Sequence, residues 1–162
     1  MVYHAAGYPA AMPEIAAICR EHGIALIEDC NTALGARLQA QGVGAWGDAA
    51  VYCFYPNRQL NGIEGGVVAW RDPAQAAKAQ RLRRFGIALS GFRDATGEIN
   101  PASDVAEVGW SAAMSQLNST VALAQLPSLG GRLRATRDNA ERLAERLAGL
   151  PGLIDRCPRY RR

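Results

Sequence analysis

Ile24-Ala25-Leu26-Ile27 follows Gly23 without a single polar residue, and this short apolar run constrains the fold more than any other stretch. A strand with one wet face alternates apolar and polar residues, whereas an unbroken run after a turn signal is the pattern of a strand covered on both faces in a parallel sheet. Parallel neighbours need a crossover between them, and the preceding residues supply one. Met12 to His22 carries Ile15, Ala16, Ile18 and Cys19 at helical spacing, with Pro13 suited to the first turn and Gly23 to the stop. Val2-Tyr3-His4 reads as the tail of an earlier strand, so the chain opens as strand, helix, strand.

Further along, Ala49 to Phe54 reads as a second buried strand introduced by Gly44, Gly47 and Asp48, and Val67-Val68-Ala69-Trp70 as another after the turn at Gly62, Gly65 and Gly66. The turn lacks the spacing of a dinucleotide-binding loop, and no helix follows it directly. Asp72 and Pro73 open a helix expected to run to about Phe85, with Gly86 as its stop. Residues 87–107 show no period and read as a long loop. Two helices are then expected, one over about Ala112 to Leu126 and one over about Leu133 to Leu150, the second with a charged outer face that includes Asp138 and Arg142 at i,i+4.

Together these elements predict an α/β protein with a mostly parallel sheet in a three-layer α-β-α arrangement. At 162 residues the chain is one domain's worth, taken as residues 1–153 followed by a basic, unstructured tail over 154–162. The formal charge of +3 comes largely from Arg156, Arg159, Arg161 and Arg162, and Trp46, Trp70 and Trp110 are scattered, so no nucleic-acid surface is implied. No apolar run approaches the roughly 20 residues needed to cross a bilayer. Cys19, Cys30, Cys53 and Cys157 are widely spaced, without the pairing that binds zinc, and read as buried free thiols suited to a reducing cytoplasm. No metal site is expected.

Chemistry concentrates at the strand ends. Asp29 closes the strand that begins in the apolar run, at the edge where open α/β sheets place ligands. A carboxylate there either caps the following turn or pairs with a protonated ring nitrogen of a cofactor. The next strand ends in the turn Tyr55-Pro56-Asn57-Arg58-Gln59. His4, at the end of the first strand, is expected to be held by a hydrogen bond.

The stretches "EIAAICREHGIALIEDCNTALGA", "VGAWGDAAVYCFYPNRQLNGIEGGVVAW", "RLRRFG" and "GWSAAMSQLNSTVALAQLPSL", in this order, resemble the DegT/DnrJ/EryC1/StrS sugar aminotransferases, over about Val2 to Leu153. The resemblance implies the fold of aspartate aminotransferase, a partial fold type I large domain, and pyridoxal 5′-phosphate as cofactor. It places Asp29 where the family's aspartate meets the pyridine nitrogen, Thr32 where a glutamine lies near the ring, and Cys53 where a serine donates to the cofactor phosphate. Ser111 falls where an asparagine reaches across a dimer to the neighbouring phosphate, and Ala113 replaces an arginine. Arg58, the candidate catalytic position, stands where the family has the lysine that forms the imine with the cofactor.

The one lysine of this chain is Lys78. Arginine as a residue type stays charged and does not replace an amine that must lose its proton. The reading is therefore an impaired or inactive member of a family that transfers an amino group to nucleotide-linked keto-sugars. Two alternatives stand beside it: a non-catalytic subunit pairing with an active paralogue, and a lysine-independent keto-sugar dehydratase. By resemblance the partners are a second copy or a paralogue in a dimer, with a sugar nucleotide and an amino donor as small molecules. The resemblance also implies members more than twice this long, this chain corresponding to the middle of the large domain, with a sheet edge and helix faces left uncovered.

Overall fold

The computed structural model describes residues 1–88, 91–105 and 107–153. The tail expected at 154–162, and Cys157 with it, lies outside the described residues. In chain order the elements are β1 (Val2–Tyr3), a short 3-10 turn at Ala5–Gly7, α1 (Met12–Glu21), β2 (Ile27–Asp29), β3 (Arg37–Leu38), β4 (Gln41–Gly42), β5 (Ala49–Cys53), β6 (Gly66–Trp70), α2 (Pro73–Leu82) and α3 (Gln116–Leu147). Among the described residues no helix is long and apolar enough to cross a membrane.

The main sheet has the order β1-β2-β5-β6. The first three strands are parallel and β6 returns antiparallel along β5, so the mostly parallel α/β sheet is as expected. The register places Tyr3, Asp29 and Val51 side by side across β1, β2 and β5. β3 and β4 form a separate two-residue hairpin that the sequence did not announce.

The opening crossover is also as expected, but its second strand is shifted. Pairing begins at Ile27 and ends at Asp29, so most of the apolar run 24–27 precedes the strand. Leu26 marks the start of the pairing: its N–H donates to the Asp48 side chain, Oδ2 at 2.7 Å, and not to a β5 carbonyl, while its carbonyl accepts from the Asp48 and Ala49 N–H groups where β5 begins. α1 begins at Met12 with Pro13 in its first turn, and Gly23, at φ 63°, lets the chain leave it. Asp72 caps α2, accepting from the Ala74 N–H at 2.8 Å.

The two helices expected over 112–126 and 133–150 are one helix, α3, with Pro127 inside it. Its start is moved to Gln116 because Ser115 is the cap, accepting from the Asn118 N–H at 3.1 Å. Proline costs a helix one hydrogen bond. Pro127 has no N–H to offer the Leu123 carbonyl, and within one turn of it the Ser128 hydroxyl and the Arg132 guanidinium donate to the Gln125 carbonyl. Gly130 and Gly131 are not among the glycines of positive φ and do not stop the helix.

Side chains are buried on one face of the sheet. Leu26, Glu28 and Cys30 alternate inward along β2, as the period of two requires. Leu26 packs with Met12 and Ala16 of α1, Cys30 with Ala33, Val43 and Ala50, and Phe54 with Leu60 and with Ala122 of α3. On the other face Ile27 and Val68 stay 39% and 48% exposed. The described residues therefore supply cover for one face, and the expected third layer is not among them.

Candidate functional site

Strand polarity brings the carboxyl ends of β1, β2 and β5 to one edge, and most of the residues singled out in the sequence meet there. Asp29 lies between Tyr3 and Val51 in register on the open face, and Cys53 falls on that same face two residues further along β5. Asp29 Oδ1 accepts from the Asn31 N–H at 3.1 Å, the turn-capping role open to a strand-end aspartate. Among the described residues its second oxygen has no partner.

Thr32 is tied to the same edge through its hydroxyl, which donates to the His4 carbonyl at 2.9 Å and lies within hydrogen-bond distance of the Tyr3 hydroxyl, 3.1 Å away, whose proton it can accept. The turn after β5 folds back on it, with Gln59 Nε2 donating to the Thr32 carbonyl at 3.0 Å. Arg58 belongs to that turn, closed by its own N–H on the Tyr55 carbonyl at 2.9 Å. The Cys53 sulfur accepts from the Tyr55 N–H at 3.4 Å. Ser111 is placed elsewhere: it is exposed and its backbone bridges to Arg84 beyond the end of α2.

Sequence reasoning missed the residue that holds this edge from below. Glu28 is fully buried, and four donors converge on its carboxyl group. The N–H groups of Trp46 and Gly47 reach Oε1 at 2.7 and 2.6 Å, and the Gly44 N–H and His4 Nε2 reach Oε2 at 2.8 and 3.1 Å. His4 is buried and hydrogen-bonded, as expected. The Ala10 N–H donates to His4 Nδ1 at 3.1 Å, so Nδ1 is an acceptor and the ring proton sits on Nε2, facing Glu28. His4 thereby links α1's approach and the Glu28 nest through its ring and Thr32 through its backbone carbonyl.

The ligand atoms of His4, Glu28 and Cys30 lie within 4.8 Å of one another. Both His4 nitrogens and both Glu28 oxygens are already engaged, so the cluster is closed on itself. Cys19, Cys30 and Cys53 are free thiols. Burial pushes the Cys30 thiol from 9.0 up to about 12, with the Glu28 charge adding to it. Burial likewise raises the Tyr52 phenol from 10.0 to about 12, with Cys30 adding to it.

Both groups stay protonated in the fold at pH values where the unfolded chain has lost those protons, so stability falls with rising pH across that interval. The urea midpoint is expected to be level up to about pH 9 and to decline between there and pH 12, less steeply in Tyr52→Phe. A midpoint equally level at pH 11 would contradict the assignment.

A pyridine-aldehyde cofactor is held covalently through an amine. Among the side chains assembled at this edge none is an amine, and Lys78 lies on α2, which follows β6, exposed to solvent. Cys53 offers a thiol where a hydroxyl would donate better. The residues present do not fit a covalently attached pyridoxal phosphate.

Comparison with known proteins places this edge in context. Residues 1–159 match the DegT/DnrJ/EryC1/StrS aminotransferase family. The chain is 30% identical over 156 residues to UDP-N-acetyl-3-dehydro-α-D-glucosamine 3-aminotransferase of Acidithiobacillus ferrooxidans, covering 96% of this chain and 39% of that protein. It superposes on AtS13 of Actinomadura melliaura with a TM-score of 0.83 at 33% identity, covering 97% of this chain and 43% of the other. The aminotransferase TlmJ of Streptoalloteichus hindustanus gives 0.82 at 29% identity, over 94% and 39%. The chain thus spans about two fifths of the length of these relatives. On the match over nearly its whole length, it belongs to the DegT/DnrJ/EryC1/StrS aminotransferase family.

Proposed function

We propose that this chain is the sheet core of an aminotransferase for nucleotide-linked keto-sugars, with transamination impaired at position 58. The substrate class is supported by the name of the Acidithiobacillus relative and by DesI, 30% identical, whose structure was obtained with its TDP-sugar product. The observation that carries the impairment is the absence of any amine among the side chains assembled at the carboxyl edge, where Arg58 occupies the turn beside Thr32. A guanidinium neither adds to an aldehyde nor takes up a proton near neutrality, so it supplies neither the covalent anchor nor the base for proton transfer.

The same reading puts Asp29, Thr32 and Cys53 around the cofactor position, Ser111 toward a neighbouring subunit, and a further layer over the exposed face of β2 and β6. Pairing with a second copy or an active paralogue is favoured by Leu117, Leu123 and Leu126, all exposed along α3.

Borohydride trapping with pyridoxal phosphate, read by mass spectrometry, tests the central point. The native chain is expected to carry no adduct at position 58, and Arg58→Lys to carry one there. Turnover of a nucleotide-linked keto-sugar with glutamate is expected to be lower in the native chain by several powers of ten than in Arg58→Lys. Equal rates for the two would sink the proposal.

A further inference from the structure

β6 leaves one edge of the main sheet open. It is the last strand in the order β1-β2-β5-β6, and among the described residues no strand pairs with its far side. The ladder with β5 fixes which of its groups face outward. The Arg71 N–H donates to the Asp48 carbonyl and the Phe54 N–H to the Gly65 carbonyl, both at 2.9 Å, so the odd-numbered residues of β6 bond to β5. Gly66, Val68 and Trp70 therefore turn their N–H and C=O groups away from the sheet.

Folded proteins blunt such edges with lysine, proline, a bulge or a very short strand. β6 has none of these. Gly66–Trp70 carries no charge and no proline, pairs with β5 residue for residue, and has the length of an ordinary strand, whereas β1 at the opposite edge is two residues long. Its side chains are accessible too, Val67 being 47% and Val68 48% exposed. A row of free backbone groups on an uncharged, apolar strand is a template for another strand.

The strand is also complementary to itself. In an antiparallel pair related by a two-fold axis, residues with outward hydrogen bonds meet each other and share one face of the sheet. An axis at Val68 meets this condition over the whole of β6: Val68 lies opposite Val68 of the second copy, and Trp70 opposite Gly66 at both ends. A β-branched pair favours the sheet, and an aromatic ring across from a glycine covers backbone that the glycine leaves bare. No like charges are opposed within the strand pair.

We propose that β6 is an interface between two copies of this chain, which join antiparallel about Val68 into one continuous sheet. This goes beyond the transamination reading and uses neither position 58 nor the exposed leucines of α3. The strand pair is small, so the dissociation constant is expected at roughly 10 µM to 1 mM.

The test is sedimentation velocity of the full chain, without cofactor, from about 1 µM to about 1 mM, together with amide hydrogen exchange at both ends of that range. A dimer is expected to form over the series, and Val68→Lys, which sets two ammonium groups against each other, to weaken it at least about tenfold. The Val68 and Trp70 amides are expected to exchange at least about tenfold more slowly in concentrated than in dilute protein, while those of Val67 and Ala69, bonded to β5, stay protected throughout. A chain that stays monomeric, equal dimerisation of Val68→Lys, or a dimer whose Val68 and Trp70 amides exchange as in the monomer would each overturn the proposal, the last by placing the interface elsewhere. Protection of those two amides already in the dilute monomer also overturns it, and shows that a segment of the same chain covers the edge. Exchange is read on the native chain, so it decides even if Val68→Lys does not fold.

Discussion

Glu28→Ala is expected to cost about 3–5 kcal/mol of folding stability, the range for breaking a buried charged group away from its partners. The substitution leaves the N–H groups of Gly44, Trp46 and Gly47 and the Nε2–H of His4 without their acceptor in the interior, and each orphaned donor carries a desolvation penalty. Against a typical total of 5–15 kcal/mol the variant stands close to global unfolding. Urea denaturation followed by circular dichroism measures it. Glu28→Gln separates charge from shape: its amide keeps one acceptor oxygen but turns an NH2 toward N–H donors, so it too is expected to be strongly destabilised. A midpoint for either variant indistinguishable from that of the native chain would show that the nest is not a stability centre.

Gly44→Ala is expected to be the next most damaging change, at roughly 2–5 kcal/mol from backbone strain and overpacking together. Gly44 has φ +87°, a conformation L residues rarely adopt, and an added Cβ would collide with the Tyr52 hydroxyl and come to 3.1 Å from Ala50 Cβ. Tyr52 has little freedom to yield, since its hydroxyl donates to the Val43 carbonyl at 3.0 Å. Gly23→Ala is the matched control, because Gly23 has φ +63° with nothing within 4 Å of the added carbon. If Gly44→Ala costs no more than Gly23→Ala, the close approach around Glu28 is not as tight as the geometry says.

What the sequence disclosed, and what it withheld, follows from the range of the forces involved. α1 and α2 were legible because their ends are set locally, by Pro13 and Gly23 and by the Asp72 cap with Pro73 behind it. Asp29 was legible as a strand-end carboxylate, since position relative to an apolar run is enough to find it. Glu28, one residue earlier, was not singled out, although alternation carried the signal: with Leu26 and Cys30 it occupies the inward positions of one strand, and a glutamate there demands donors. Those donors come from His4 and from residues 44 to 47, which only tertiary structure brings near. The continuity of α3 was hidden for a similar reason. Two helices were expected, ending near 126 and starting near 133, whereas the segment between them stays helical and packing of Ala122 against Phe54 holds the helix on the sheet.

α3 also behaves as a lever. Its 32 residues are anchored to the body between Asn118, which donates to the Glu64 carbonyl, and Arg137, which donates to the Gly35 carbonyl at 2.6 Å. Pro127 lies between these anchors, at the point where an α-helix bends most cheaply. From there to Leu147 is roughly 30 Å at the rise of an α-helix, so a bend of about 10° at the proline, once Arg137 lets go, would carry the far end through about 5 Å. A small rearrangement of the 61–65 turn beside Arg58, which touches this helix through Asn118 and Gln125, therefore has the means to become a large displacement at the opposite end of the chain.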